Sequence, residues 1–204
     1  MRSTVEEGSF QYAAGRGRFV LLGCGYLGLR VYRLLTELGW KGFAVVRSEE
    51  SRQSLRERGV EVIALDIGTE DFSTRLKGEF RVFFPGEEGP EVWVHCASTR
   101  GGDVGMYRCV YYGGVSGLLR AFPLAYGIFV SSTSVYHQTD GSWVEENSTT
   151  EPSQESGRVL LETEKLVVGA GGGVARLAGL YGPGRSVLLR KFIKGEARIE
   201  MTGR

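Results

Sequence analysis

The sequence predicts an α/β fold in which a parallel sheet carries helices on both of its faces. Short, continuous apolar runs alternate with segments of helical periodicity, and the first run, at residues 19–22, ends at a glycine. Runs of this kind are typical of strands that are buried on both faces of a parallel sheet. Because strands and helices alternate along the chain, we expect a doubly wound sheet.

Each element has its own signal in the sequence. Strands are predicted at residues 19–22, 43–46, 60–65, 92–96, 127–130 and 174–177. Helices are predicted at residues 27–38, from a cap at Ser48 to a stop at Gly59, and at 107–122, 157–168 and 187–193. Glycines at positions 113, 114 and 117 weaken the third of these helices. Residues 70–89 are interpreted as a connection or insertion, with a possible helix at 72–77.

Composition and charge narrow the class of protein. The 204 residues are 42% hydrophobic and 24% charged, which suits one globular domain, assigned to residues 18–204. With 25 basic and 24 acidic residues, the net charge is +1, so neither a nucleic acid nor a membrane is the expected partner. A small-molecule ligand is expected instead, and nothing in the sequence indicates the oligomeric state.

The cysteine pattern and the chain's first segment bear on location. Cys24, Cys96 and Cys109 are an odd number without metal-type spacing, so we expect no metal site and a reducing cytoplasm. No apolar run approaches the length of a membrane span, which is about 20 residues. Residues 1–17 lack the apolar stretch of a secretory signal and are interpreted as a flexible tail.

A glycine-rich string lies between the first strand and the first helix. Its context, a strand followed by an amphipathic helix, predicts a loop that binds the pyrophosphate of NAD or NADP in a Rossmann-type fold. The first glycine permits the tight turn, the second leaves room for the pyrophosphate, and the third allows close helix packing. The alternative is that the glycines serve only the turn. The string is Gly23, Cys24, Gly25, Tyr26, Leu27 and Gly28.

The residues after the second strand bear on which dinucleotide is bound. An acidic residue about 20 positions beyond the glycine loop would bind the adenosine ribose of NAD. This chain has Arg47 and Ser48 there, and a guanidinium pairs well with a phosphate, so NADP is favoured over NAD. Alternatively, Arg47 is an exposed strand-end residue, and Glu49 or Glu50 turns toward the ribose.

Several further motifs resemble one known family. Besides the glycine string, they are residues 65–66, 94–98, 130–136 and 176–184. Together they resemble the extended short-chain dehydrogenase/reductases, which include sugar-nucleotide epimerases and dehydratases, and the resemblance runs from Phe19 to the C-terminus. It implies that Asp66 lies beside the adenine and that Ser132 is the active-site Ser/Thr. It also implies that the cofactor is lined by Cys96, Ala97 and Ser98.

Each implied role has a structural alternative. Asp66 could simply end a strand, and Ser132 with its neighbours could satisfy backbone groups at a strand end. Cys96 could be a small core hydrophobe. His95 lies within an apolar strand and is interpreted as a core histidine, whereas His137 has better access to the expected site.

The family's acid/base pair is missing. The resemblance implies a Tyr-x-x-x-Lys pair on the helix after the fifth strand, but the matching positions are Ser156 and Leu160. Lys165 lies more than a helical turn too far along to replace the lysine. Tyr136 and Tyr181 follow strands at the edge where ligands bind, so they are candidate displaced proton donors, with packing or cofactor contact as the alternative.

Three functions are compatible with these observations. The first is an atypical NAD- or NADP-dependent oxidoreductase or epimerase-like enzyme that acts on a small polar or sugar-derived substrate. The second is a non-catalytic dinucleotide sensor, since the Tyr and Lys are absent. The third is a non-binding relic, because the family continues beyond the region where this sequence ends, so the substrate-binding part is expected to be short or truncated.

Overall fold

The computed structural model describes residues 17–99, 101–138 and 140–196 of the chain. A six-stranded sheet forms its centre, and each strand pairs in parallel with its neighbours. The order across the sheet is β3-β2-β1-β4-β5-β6, the order of a Rossmann-type fold, so the predicted fold class is confirmed. The strands are β1 (Arg18–Leu22), β2 (Lys41–Val46), β3 (Val62–Ala64), β4 (Val92–His95), β5 (Tyr126–Ser132) and β6 (Gly173–Leu177).

Helices connect the strands. A π-helical segment, Arg108–Gly113, joins the fourth helix to the fifth, and a 3₁₀ turn, Thr133–Val135, follows β5. None of the helices in the described ranges is long and apolar enough to cross a membrane. The α-helices are α1 (Tyr26–Glu37), α2 (Glu49–Arg56), α3 (Phe72–Phe83), α4 (Val104–Tyr107), α5 (Gly114–Ala121), α6 (Glu155–Gly169) and α7 (Val187–Ile193).

The sheet has a hydrophobic core on each face, as the continuous apolar strands predict. In β1, Val20 and Leu22 belong to one core cluster, whereas Phe19 and Leu21 belong to the other. Successive side chains of a strand point to opposite faces, so all four are buried. The first cluster includes side chains from α3, α5 and α6, and the second includes side chains from α1 and α2.

Two predictions about the organisation of the chain need correction. Residues 70–89 are not merely a connection, because α3 runs from Phe72 to Phe83 and buries Phe72, Leu76 and Phe80 against the sheet. Gly17, assigned to the tail, is buried, and its carbonyl accepts a hydrogen bond from the amide of Lys41 at 2.9 Å. The rest of the predicted tail, residues 1–16, lies outside the described residues.

Two of the three glycines that weakened one helix prediction have a packing role. A Cβ on Gly114 would lie 2.7 Å from Nε2 of His95, and a Cβ on Gly117 would lie 2.5 Å from the Phe72 ring. Their missing side chains therefore let α5 approach both the sheet and α3. The helix forms despite its glycines because close packing outweighs a propensity cost of about 1 kcal/mol each.

His95 is a core histidine, as the sequence indicates. It is completely buried on β4, and Nε2 lies 2.9 Å from the carbonyl oxygen of Val110 in the π-helical segment. A carbonyl only accepts hydrogen bonds, so the proton of the neutral ring is assigned to Nε2. Burial lowers the pKa of His95 to about 4, because the charged ring would be removed from water.

This pKa predicts a pH dependence of stability. Between pH 6.5 and about 4 the unfolded chain binds a proton at His95 that the folded chain does not, so the free energy of unfolding falls as the pH falls. The shift corresponds to a loss of up to about 3 kcal/mol across that window. His95→Gln keeps a donor for Val110 but removes the titration, so its denaturant-measured stability should fall less steeply. If the free energy of unfolding falls equally with pH in the unmodified chain and in His95→Gln, the prediction is wrong.

Candidate functional site

The predicted site residues meet at one edge of the sheet. Parallel strands end on the same side, so the segments that follow β1 through β6 lie along one carboxyl edge. β1 and β4 are neighbours at the centre, where the strand order reverses, and such a switch point opens a crevice. The glycine loop after β1 and the segment at 96–98 after β4 lie on the two sides of this point.

The three glycines of the loop meet three different spatial requirements. Gly23 has φ +90°, and a Cβ there would overlap the backbone of Ala97. A Cβ on Gly28 would overlap the carbonyl oxygen of Gly23, so Gly28 lets α1 begin against the loop. A Cβ on Gly25 would meet nothing within 4 Å among the described residues. Gly25 therefore faces open space, where a bound group could approach the backbone.

The start of α1 is available to an anion. Gly25 is its N-cap residue, with no side-chain cap and no acidic residue in the first turn. The first backbone N–H groups of a helix have no partners within it and carry partial positive charge. A phosphate group fits such a site, and the open side of Gly25 leaves room for it.

The two cysteines and Leu27 at the loop pack as apolar side chains. Leu27 is half-buried, and Cys24 and Cys96 belong to the second core cluster or pack against it. Burial raises the pKa of Cys24 to about 11 and that of Cys96 to about 12, so both thiols stay protonated near neutral pH. These cysteines therefore line the loop as small hydrophobes.

The residues after β2 differ in how far their side chains are already engaged. The Arg47 side chain is exposed and has no hydrogen bond or salt bridge within the described ranges. Ser48 caps α2, its Oγ accepting a hydrogen bond from the amide of Ser51 at 3.2 Å. Glu49 is paired with Nε of Arg52 at 2.8 Å, which directs its carboxylate along the helix and lowers its pKa. The guanidinium of Arg47 is therefore more available to a ligand than the carboxylate of Glu49.

Asp66 forms a turn at the end of a strand and is also exposed. It follows β3, and its Oδ1 accepts a hydrogen bond from the amide of Gly68 at 2.9 Å. This bond forms a turn, which is the structural alternative. The side chain is also exposed at the carboxyl edge, where its second oxygen can accept a hydrogen bond from a ligand.

The three candidate catalytic residues have different surroundings. Oγ of Ser132 accepts a hydrogen bond from the amide of Ser134 at 3.1 Å, so the hydroxyl proton stays available. The hydroxyl of Tyr136 accepts a hydrogen bond from Nη1 of Arg176 at 2.9 Å. Tyr181 is 88% exposed. Its phenol makes no hydrogen bond within the described part of the chain.

Arg176 belongs to a buried ionic network that sequence reasoning missed. Glu164 on α6 is 3% exposed, and its carboxylate accepts from Nη2 of Arg176 at 2.7 Å and from Nε at 3.0 Å. Ser131 also donates to Glu164, at 2.6 Å. The ion pair raises the pKa of Arg176. The sequence held only a signal that Glu164 needs a partner, because it shares a predicted helix face with Leu160 and Val167 and a buried charge must be paired.

The positions of the missing acid/base pair also have clear surroundings. Ser156 lies half-buried in the first turn of α6. Leu160 is 4% exposed and belongs to the first core cluster. The side chain at the lysine position is therefore part of the hydrophobic packing.

The comparisons show which solved structures share this fold. No protein-family model and no curated protein sequence matches the chain. A solved structure described as a "putative NAD-dependent epimerase/dehydratase" from Methylobacillus flagellatus is similar, with a TM-score of 0.73 and 28% identity. The match covers 91% of this chain and 62% of that one.

Two enzymes solved with bound ligands share the fold at lower identity. The Bordetella bronchiseptica enzyme WbmG, in complex with NAD and UDP, matches with a TM-score of 0.71 and 18% identity, over 89% of this chain and 61% of that one. UDP-glucose 4-epimerase from Thermus thermophilus, in complex with NAD, matches with a TM-score of 0.68 and 18% identity. The match covers 83% of this chain and 57% of that one.

The chain has the fold of the extended short-chain dehydrogenase/reductases. The resemblance identified from the sequence motifs is thereby confirmed. UDP-galactose 4-epimerase and UDP-N-acetylglucosamine 4-epimerase from Bacillus cereus also share the fold, at 18% and 19% identity. The chain spans about 62% of the length of the Methylobacillus protein.

The buried ion pair predicts an unequal response to two arginine substitutions. Arg176→Met would leave the carboxylate of Glu164 buried with only Ser131 as a donor, so we expect the free energy of unfolding to fall by about 3 kcal/mol. Arg158→Met is the matched control, because Arg158 on α6 pairs with the exposed Glu155 and should change little. Urea denaturation measures both, and equal losses would contradict the prediction.

Proposed function

We propose that this chain binds a nicotinamide dinucleotide at the carboxyl edge of its sheet. We further propose that it is an atypical oxidoreductase or epimerase-like enzyme for a small polar or sugar-derived substrate in the cytoplasm. The observation that carries the proposal is the glycine loop, in which Gly23 and Gly28 are required by packing while Gly25 faces open space at the start of α1. Structural neighbours crystallised with NAD support the same ligand.

The dinucleotide would be held by segments from four strands. The backbone of residues 25–28 would bind the pyrophosphate, Asp66 the adenine, and residues 96–98 the half of the cofactor nearer β4. Arg47 would pair with the 2′-phosphate of NADP, with Ser48 beside it. Because Glu49 is already paired with Arg52, NADP is the preferred cofactor and NAD the second choice.

Tyr136 is the strongest candidate for moving a proton. A bound nicotinamide would accept or supply the hydride. Arg176 donates to the phenol oxygen of Tyr136, which fixes the ring position and leaves the phenol's own proton free to be donated. Ser132, four residues earlier, offers a second hydroxyl, and Tyr181 offers an exposed phenol.

A second function is supported by the core packing of Leu160. A lysine cannot be supplied from that position, because the leucine side chain there is packed in the hydrophobic core. A protein that binds the dinucleotide without turnover, as a sensor or regulatory module, would meet this constraint. Turnover distinguishes the two functions.

The glycine loop gives the first test. Gly25→Val places a branched side chain where the pyrophosphate would lie, so we expect dinucleotide binding to be abolished with little change in stability. Gly78→Val is the matched control, since Gly78 on α3 also has open space around a Cβ. Quenching of NADPH fluorescence measures the affinity. If Gly25→Val binds NADPH as tightly as the unmodified chain, the proposed site is wrong.

Cofactor preference gives the second test. Arg47→Asp removes a phosphate partner and adds a repelling charge, so NADP binding should weaken by about tenfold or more while NAD binding is retained. Arg120→Asp, an exposed charge reversal on α5, should change neither affinity. An equal loss of both dinucleotides in the Arg47 variant would show that Arg47 is structural.

Turnover gives the third test. General acid/base assistance is worth about 10² to 10⁴ in rate, so its loss at positions 156 and 160 should make NADPH oxidation slow on ordinary sugar-nucleotide substrates. A panel of carbonyl and hydroxyl compounds measures this. Turnover that survives Ser156→Ala but is lost in Tyr136→Phe would assign the proton to Tyr136 and exclude the sensor. Absent turnover with intact NADPH binding would favour the sensor.

A further inference from the structure

The segment after β6 crosses the carboxyl edge of the sheet. β6 is three strands away from β1, a distance of about 14 Å across the sheet. Yet residues 180–185, which follow β6, reach the first residue of α1. A Cβ on Gly182 would lie only 2.5 Å from the hydroxyl oxygen of Tyr26. This segment, which we call the strap, therefore passes over the switch-point crevice.

The strap has a defined turn at its far end. Gly182 and Arg185 exchange two backbone hydrogen bonds, each 2.8 Å long. Gly182 has φ +144°, a backbone conformation that residues with a side chain rarely adopt. Nε of Arg185 donates to the carbonyl of Leu180 at 3.1 Å. The turn and this bond hold the Arg185 guanidinium beside the glycine loop.

Two guanidiniums gather on the ring of Tyr26. Cζ of Arg30 lies 3.7 Å from the ring centroid, and Cζ of Arg185 lies 5.3 Å from it. Arg30 also donates to the carbonyl of Tyr26 at 2.7 Å and to the carbonyl of Pro183 at 3.4 Å. Arg30 is four residues after Tyr26, so its side chain points back toward the start of α1. One aromatic ring thus joins α1 to the strap.

The charge of these guanidiniums is not neutralised. In the described part of the chain, their partners are carbonyl oxygens and an aromatic ring, and neither arginine has a carboxylate within 4.0 Å. Other arginines have a carboxylate partner: Arg18 pairs with Glu91, and Arg176 pairs with Glu164. Neither Nη group of Arg185 has a hydrogen-bond acceptor among the residues that the structure describes. Two positive charges with spare donors, held at one point, suit a doubly charged anion.

We infer that Arg30 and Arg185, assembled on Tyr26, bind the pyrophosphate of the dinucleotide from the side opposite the glycine loop backbone. This inference rests on the proposed dinucleotide function and extends it to residues more than 150 positions apart in the sequence. The strap is then part of the cofactor site, and Tyr26 is a positioning residue that sets the two guanidiniums.

Three ligands separate the pyrophosphate from the other groups of the cofactor. NADPH and NADH contain a pyrophosphate, whereas adenosine 2′-monophosphate does not. Dissociation constants for each are measured by fluorescence or by competition with NADPH. The variants are Arg30→Gln, Arg185→Gln and Tyr26→Leu, with Arg190→Gln, an exposed arginine on α7, as the matched control.

We expect Arg30→Gln and Arg185→Gln each to weaken NADPH and NADH by similar factors of about tenfold, and to leave adenosine 2′-monophosphate unchanged. Tyr26→Leu should weaken the binding of both dinucleotides. Adding Arg185→Gln to Tyr26→Leu should have little further effect, because the guanidiniums of Arg30 and Arg185 are then no longer held together by the ring. If Arg185→Gln disturbs the turn, Arg185→Lys, which keeps the charge, should retain most of the affinity.

Other outcomes overturn the inference in distinguishable ways. Unchanged NADPH and NADH affinity in both arginine variants, with Gly25→Val still abolishing binding, would show that the strap only stabilises the fold. A loss shared by NADPH and adenosine 2′-monophosphate but not by NADH would reassign the arginines to the 2′-phosphate. If the unmodified chain binds no dinucleotide, the proposed function fails together with the inference.

Discussion

The close approach between the glycine loop and the segment after β4 is the constraint on which the site depends. Gly23 packs on the backbone of Ala97, and its carbonyl faces Gly28 so closely that neither position can carry a side chain. These contacts fix where α1 begins. Tyr26, on its first turn, therefore takes its position from two glycines that no ligand needs to touch, while Gly25 between them stays open.

A second constraint lies at the other end of the edge. Burying a carboxylate costs several kcal/mol unless its oxygens are satisfied, and Glu164 has donors from both Arg176 and Ser131. This links α6, β5 and β6, and through Arg176 it also fixes Tyr136 at the start of the next loop. Leu160 fills the core one turn earlier on α6. The helix thus keeps a structural role at positions where the family resemblance implies a catalytic one.

The sequence predicted the strands, helix caps and helix ends, because these features depend on residues that are close together in the chain. Apolar runs placed the strands, Ser48 was correctly identified as the cap of α2, and Gly59 ends this helical segment with positive φ. The helix at 72–83 was underestimated, although Phe72, Leu76 and Phe80 repeat every four residues. Contacts between distant segments could not be predicted, because no local pattern links Glu164 to Arg176 or Tyr26 to Arg185.

The distribution of charge also depends on contacts between distant segments, which the composition does not show. A net charge of +1 predicts no strong electrostatic attraction for a large polyanion, because the whole molecule is nearly balanced. Arg52, however, is paired with Glu49, whereas Arg47 on the neighbouring segment has no carboxylate partner among the residues that the structure describes. Arg30 and Arg185 likewise contact carbonyls and a ring. A balanced composition therefore coexists with arginines at one edge of the sheet that have no carboxylate partner among the described residues, and the proposed dinucleotide site lies at this edge.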